Sequence, residues 1–381
     1  MNLVGNWNYP TKIRFGNDRI EELADACRES GISNPLLVTD RGLARLEITD
    51  RILGLMERAG LGRAVFSDVD PNPRDDNLDA GVRVFLDGDF DGVVAVGGGS
   101  GLDLAKLVAF AARQTRPVWD FEDVGDNWTR ADADAIAPVV AIPTTAGTGS
   151  EVGRAAVITR TATHSKKIIF HPRMMPTVVI CDPVLTVGLP PDMTAGTGMD
   201  AFVHCLEAYS TPAYHPMAQG IALEGMRLVK EYLPRAFHDG KDLEARANMM
   251  SAAAMGATAF QRGLGAIHSL AHAVGAIHNT HHGTTNAVLA PVVLQFNRPA
   301  IEARIDRLAA YLGIEGGFDG FHEFVVALNR DLRIPANLRA LGADPARIDE
   351  YAELAVADPT APGNPVPLTP EAAREMYQAA M

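Results

Sequence analysis

Five of the eleven histidines in this 381-residue chain fall between positions 268 and 282, in GLGAIHSLAHAVGAIHNTHHG. Upstream, GMDAFVHCLEAY places Asp200 and His204 four residues apart, and His268 and His272 repeat that spacing. Residues four apart share one face of a helix, so two helices could each present a pair of ligand-type side chains to a single cation. One carboxylate with several imidazoles suits Fe(II), Zn(II), Co(II) or Mn(II), and argues against calcium or copper–thiolate chemistry. Structural zinc sites rely on closed, cysteine-rich ligand sets, so this set reads as catalytic. His281 and His282 are adjacent and point differently; at most one coordinates, and spacing alone leaves the choice open. His278 and His281 are expected to line the pocket or face solvent.

A second constellation lies earlier. The segment DGVVAVGGGSGLDLAK, residues 91–106, reads as strand, glycine turn and helix. Gly97, Gly98 and Gly99 let the backbone approach a ligand closely. Ser100 and the following N–H groups open a helix whose N-terminus carries partial positive charge, an arrangement that binds phosphate. This is not the Rossmann fingerprint, because Leu102 stands where a GxGxxG frame needs glycine and the strand-end acid Asp40 precedes the glycines. A dinucleotide would then be held by a differently ordered sheet. Asp40 can accept both hydroxyls of an adenosine ribose and repel a 2′-phosphate, favouring NAD over NADP, and can also cap the segment that follows it. A small-residue loop, PTTAGTGSE at 143–151, adds the hydroxyls of Thr144, Thr145, Thr148 and Ser150.

The elements that must position these residues change character along the chain. Short β-branched runs at 12–15, 36–39, 63–66, 92–96 and 139–142 predict strands, and amphipathic stretches at 18–29, 42–59, 74–86 and 102–112 predict helices between them. That alternation implies βαβ units on a parallel sheet. Three further runs, at 156–159, 167–170 and 177–181, complete the strand signals. After about residue 189 the pattern is helical and rich in Ala, Leu and Met. The expected organisation is an α/β dinucleotide-binding domain over 1–186 and an all-α metal-binding and catalytic domain over 187–381.

Composition narrows the partners. A formal net charge of −13 argues against nucleic acid or an anionic membrane surface. Three scattered cysteines without a CxxC pair suggest reduced thiols rather than a disulfide framework. With neither a signal-peptide pattern at the start nor an apolar run of membrane-spanning length, a cytoplasmic protein is expected.

Taken together, GGGSGLDLAK, PTTAGTGSEV, DPVLTVGLPPDMTAGTGMDAFVHCLEAY and GLGAIHSLAH…NTHHGTTNAVLAP resemble the iron-containing (group III) alcohol dehydrogenases, over essentially the whole chain. The resemblance implies a dehydroquinate synthase-like architecture, use of NAD and one divalent metal, Fe(II) with Zn(II) as the alternative. It implies Asp200, His204, His268 and His282 as ligands, which selects His282 over His281. His272 is implied to lie near the nicotinamide and assist proton transfer. The implied cofactor contacts are Asp40, Asn72, Gly97, Gly98, Gly99, Ser100, Asp103, Thr144, Thr145, Thr148, Lys167 and Leu185. A homodimer or larger homo-oligomer is implied as well. Two departures from the family pattern stand out: His281 replaces the proline that often precedes the last ligand, and Gly153–Arg154 replaces a threonine-containing version.

The expected reaction interconverts a primary alcohol and its aldehyde by hydride transfer. Arg154, after the Thr/Gly loop, and Arg262, in AFQRGLG, are candidate cations for a substrate carboxylate, which would favour an ω-hydroxy acid such as 4-hydroxybutyrate. Alternatives are a polyol or diol dehydrogenase of the glycerol, 1,3-propanediol or lactaldehyde type, or a maleylacetate reductase. A non-enzymatic metal- or nucleotide-binding protein is the remaining, different class.

Overall fold

A computed structural model of the chain describes residues 5–7, 11–163 and 165–381. It divides into two compact units, Met1–Thr145 with Gly149–Val187, and Ala146–Thr148 with Gly188–Met381.

The first unit is built on a seven-stranded sheet. Its elements in chain order are β1 (Gly5–Trp7), β2 (Lys12–Phe15), α1 (Leu23–Glu29), β3 (Pro35–Val38), α2 (Glu47–Arg58), β4 (Val65–Phe66), α3 (Asp75–Asp87), β5 (Gly92–Gly97), α4 (Gly99–Ala111), β6 (Val139–Pro143), β7 (Ala155–Arg160), β8 (Ser165–Phe170) and β9 (Val178–Cys181). The order across the sheet is β1-β2-β9-β6-β5-β3-β4. Every pairing is parallel except β1 with β2. Val93, Val94, Ala95 and Val96 of β5 have no solvent exposure, as a parallel strand covered on both faces requires.

Three local departures from the sequence expectation have physical causes. The 42–59 helix is broken: a short 3₁₀ turn at Leu43–Arg45 ends at an extended Leu46 before α2 starts. Asp40 nucleates that separate turn, its Oδ1 accepting the N–H groups of Gly42 and Leu43 at 2.8 and 2.9 Å. The 63–66 strand shrinks to Val65–Phe66, which pair with Leu37 and Val38 at the end of β3, after a turn in which Gly60 and Gly62 hold φ values of 75° and 77°. The runs at 156–159 and 167–170 do not join the main sheet. They pair antiparallel with each other as β7 and β8, since the short connection between them permits a hairpin but no crossover.

The second unit is helical: α5 (Pro191–Ser210), α6 (Pro216–His238), α7 (Leu243–Ala259), α8 (Ala266–His278), α9 (His282–Tyr311), α10 (Gly317–Asp331), α11 (Ile348–Val356) and α12 (Pro370–Ala380). Every residue of α5 from Thr194 to Ser210 is buried. A helix buried all round lies at the centre of a bundle, and α6, α7 and α9 pack around this one. Its C-terminal carbonyls receive cations: Arg262 donates to Ala208 O and Tyr209 O, and Arg304 to the carbonyls of Tyr209, Ser210 and Thr211. Positive charge at that end also opposes the helix dipole favourably. The central helix is therefore pinned at the end that follows its functional residues. Among the described residues, no helix is long and apolar enough to cross a membrane.

Candidate active site

Three helices of the second unit carry the predicted ligands. Asp200 and His204 lie on α5, His268 on α8, and His282 is the first residue of α9. His281 is the N-cap of α9: its Nδ1 accepts the N–H of Thr284 at 3.3 Å and faces Thr284 Oγ1 at 2.9 Å. A ring turned back to cap its own helix is committed there, and the neighbour then falls on the ligand side. Close backbone approach completes the arrangement. A Cβ on Gly283 would lie 2.0 Å from Gly196 O and 2.9 Å from Asp200 Cβ, so only glycine lets α9 meet α5 where His282 faces Asp200.

One donor atom from each of Asp200, His204 and His268 lies within 4.8 Å of the other two. Asp200 Oδ1 is 3.8 Å from His204 Nε2, 3.8 Å from His268 Nε2 and 3.4 Å from His282 Nε2. The rings of His204 and His268 stack with centroids 4.8 Å apart. Asp200, His204 and His268 are buried, and burial pushes the His204 imidazole down to about 4, leaving it neutral with a lone pair to offer. Asn286, one turn after His282, places Nδ2 2.9 Å from Asp200 Oδ1, 3.2 Å from His282 Nε2 and 3.4 Å from His268 Nε2. Acceptor atoms of three side chains thus converge on one electropositive group. Buried acceptors that face one another call for positive charge between them, and their mixed N/O chemistry fits a divalent transition metal.

Two carboxylates stand behind the histidines. Glu207 Oε2 is 2.6 Å from His268 Nδ1. Burial opposes the charged imidazole of His268, but the hydrogen bond and charge of Glu207 together with the charges of Asp200 and Asp358 outweigh it, and the net shift is upward. Asp358 Oδ2 lies 2.9 Å from His272 Nδ1, while its Oδ1 accepts from the N–H and Oγ1 of Thr360 at 2.9 and 2.6 Å. The rings of His272 and His282 stack at 5.2 Å.

The glycine turn of the first unit lies at a topological switch point. From β3 the chain goes to β4 on one side and returns to β5 on the other, and ligands of open α/β sheets bind beyond the strand C-termini at such a reversal. Asp40 follows β3 and Gly97–Gly99 end β5. A Cβ on Gly97 would lie 3.9 Å from Asp40 Oδ2, and one on Gly98 3.2 Å from the side chain of Thr145. Thr144 donates its N–H to Gly97 O at 3.0 Å. Asp40, Gly97–Gly99, Thr144 and Thr145 therefore meet around the N-terminus of α4. Ser100 donates through Oγ to the carbonyl of Pro71, the residue that precedes Asn72.

Other predicted residues have protein partners of their own. Asp103 ties α4 to the following segment, accepting from Ser150 Oγ and from the N–H of Val157 at 2.9 Å. Lys167 Nζ is 2.7 Å from Glu122 Oε1. Leu185 packs in the core with Leu37, Val94 and Val96. Thr148 belongs to the short segment grouped with the helical unit. Arg154 is half-buried, its guanidinium 5.5 Å from the Phe170 ring centroid. Arg262, expected as a candidate substrate cation, is buried, and its Nε and Nη1 donate to the backbone carbonyls of Ala213, Ala208 and Tyr209. His278 is half-buried, its Nε2 2.5 Å from Tyr351 Oη.

Glu207, Asn286 and Asp358 were not singled out from sequence. The first two had a signal, since Glu207 continues the Asp200–His204 stripe at i+7 and Asn286 follows His282 at i+4. Asp358 lies 86 residues from its partner and offered none.

The chain belongs to the iron-containing alcohol dehydrogenase family. Residues 10–183 match the iron-containing alcohol dehydrogenase family, and residues 194–381 the Fe-containing alcohol dehydrogenase family C-terminal domain. It is 37% identical to a 4-hydroxybutyrate dehydrogenase of Cupriavidus necator, over 98% of this chain and 99% of that one. A crystal structure of 1,3-propanediol oxidoreductase superposes with a TM-score of 0.92 at 33% identity, covering 97% of each chain. A sulfoacetaldehyde reductase from Bifidobacterium kashiwanohense, in complex with NAD⁺, gives 0.89 at 27% identity over 99% and 98%. The expected architecture and reaction class are borne out: this is an alcohol dehydrogenase that uses a metal and NAD(H).

Proposed function

We propose that Asp200, His204, His268 and His282 hold one divalent ion, Fe(II) with Zn(II) as the alternative, and that the enzyme interconverts an ω-hydroxy acid of the 4-hydroxybutyrate type and its semialdehyde. The observation that supports the metal assignment is the convergence of Asp200, His204 and His268 donor atoms within 4.8 Å of one another, with His282 Nε2 3.4 Å from Asp200 Oδ1. When bound, the ion supplies Lewis-acid polarisation of the substrate oxygen and NAD(H) supplies the hydride acceptor or donor.

The chain's own residues do the rest. Asp200 offsets cationic charge in a buried site, and three neutral imidazoles complete the set. His272 moves the substrate proton through Nε2, its Nδ1 being held by Asp358. Asp40, Asn72, Gly97–Gly99, Ser100, Asp103, Thr144, Thr145, Thr148, Lys167 and Leu185 make up the proposed NAD contacts, with Asp40 selecting against a 2′-phosphate. Arg154 is proposed to pair with the substrate carboxylate, a reading supported by the likeness to a 4-hydroxybutyrate dehydrogenase. The likeness to 1,3-propanediol oxidoreductase favours a second reading, an uncharged diol. A cytoplasmic homodimer or larger homo-oligomer is the proposed working state.

A panel of simple alcohols, diols and ω-hydroxy acids, assayed with NAD⁺ and each candidate metal, tests the proposal. Arg154→Ala should raise KM for 4-hydroxybutyrate at least about tenfold and leave that for 1,3-propanediol unchanged; equal effects on both would give the diol reading. His268→Ala should lose metal and turnover together, and turnover by the metal-free variant would reject the metal site.

A further inference from the structure

Glu207 is buried on α5, and each of its oxygens has a partner. Oε1 accepts the backbone N–H of Ile267 at 2.7 Å, and Oε2 lies 2.6 Å from His268 Nδ1. We propose that Glu207 is a positioning residue of the metal centre, holding His268 in the tautomer protonated on Nδ1 so that the Nε2 lone pair faces the cation. The inference rests on the metal site proposed above.

An imidazole coordinates through a nitrogen that carries no hydrogen, and the bond made by the other nitrogen decides which one that is. An ionised carboxylate only accepts, so His268 must donate from Nδ1. Its Nε2 then points toward Asp200 Oδ1, 3.8 Å away, and Asn286 Nδ2, 3.4 Å away, on the side where the other ligands converge. The second oxygen of Glu207 is equally committed. Ile267 lies in the first turn of α8, where backbone N–H groups have no partner within the helix and need an outside acceptor. One carboxylate thus fixes both the ring and the backbone that bears it.

This double commitment makes the isosteric variant informative. In Glu207→Gln, the single amide oxygen serves the Ile267 N–H, and the NH₂ group donates to His268 Nδ1. That selects the tautomer with hydrogen on Nε2, which cannot bind metal. Turning the amide over sets two donors against each other at Ile267. Glu207→Asp is one methylene shorter but still accepts only, so it preserves the required tautomer. A tautomer-setting role therefore ranks metal affinity as wild type, then Glu207→Asp, then Glu207→Gln. A packing role reverses the two variants, because glutamine keeps the volume of glutamate.

Apo forms of the full chain titrated with Co(II), followed by visible absorption and by competition with a chelator, read this order directly. Glu207→Gln should bind about 10- to 100-fold more weakly than wild type, with altered Co(II) bands and Glu207→Asp in between. Its apo form should melt within a few degrees of wild type and lose most of the metal-induced rise in Tm. Wild-type affinity in Glu207→Gln, tighter binding by Glu207→Gln than by Glu207→Asp, or failure of apo Glu207→Gln to fold would each overturn the proposal. Failure of wild type itself to bind Co(II) would strike the metal-site reading instead, before either variant is compared.

Discussion

His272 and Asp358 share a 2.9 Å contact between Nδ1 and Oδ2, and the far oxygen of the same carboxylate is fixed by two donors from Thr360. Burial works against the ionised carboxyl, yet His272 and the Thr360 donors hold Asp358 below the usual carboxylate range. The pair resembles the acid–imidazole couples that orient a proton-transferring histidine. In Asp358→Asn, the amide oxygen is required by Thr360, so the amide nitrogen faces His272 and imposes the opposite tautomer. The variant should lose kcat on the order of 10²-fold with its metal content unchanged. Full turnover in Asp358→Asn would remove this pair from the proton path.

Cofactor choice is expected to depend on Asp40. One of its oxygens caps the turn at Gly42 and Leu43, while the other lies on the glycine-turn side. Asparagine preserves the cap and removes the charge, so Asp40→Asn should fold normally. Its ratio of kcat/KM for NAD⁺ over NADP⁺ should fall about tenfold or more, because repulsion of the 2′-phosphate is lost. An unchanged ratio would show that the carboxylate serves only as a cap.

Stability should fall with rising pH on the acidic side of neutrality. Glu151 is buried near Lys106, and burial pushes its carboxyl up from 4.5 to about 7. Across that window the folded chain keeps a proton that the unfolded chain has released. Stability therefore declines as pH rises through the window and levels off above it, by about 3 kcal/mol at roughly 1.4 kcal/mol per pH unit. Glu151→Gln should flatten this slope in denaturation curves taken from about pH 5 to about 8 and exceed wild type in stability above neutrality. Parallel slopes for the two proteins would assign the pH dependence to other groups.

Much of the architecture was legible because its signals are local. Four consecutive buried residues in β5, followed at once by three glycines, announce a covered parallel strand and a ligand-approaching turn. The Asp200–His204 and His268–His272 pairs needed only helical periodicity. The pairing of β7 with β8 was less accessible, because strand propensity says nothing about which neighbour a strand will find. The roles of Arg154 and Arg262 looked alike in sequence. Only the fold distinguishes a guanidinium beside Phe170 from one buried on the carbonyls at the end of α5.

From the sequence alone came the ligand-type side chains, their helical spacing, the glycine turn at a helix N-terminus and the order of the two kinds of domain. Each depends on residues a few positions apart, whose relative geometry the backbone dictates. Tertiary structure decided what depends on contact between distant segments. It made His281 a cap while His282 faces Asp200, and it brought Glu207 to His268 and Asp358 to His272. It also set Asn286 at the point where the donors converge. Those pairs are 61 and 86 residues apart, and nothing local specifies them. They form because buried polar groups must find partners once the bundle has excluded water.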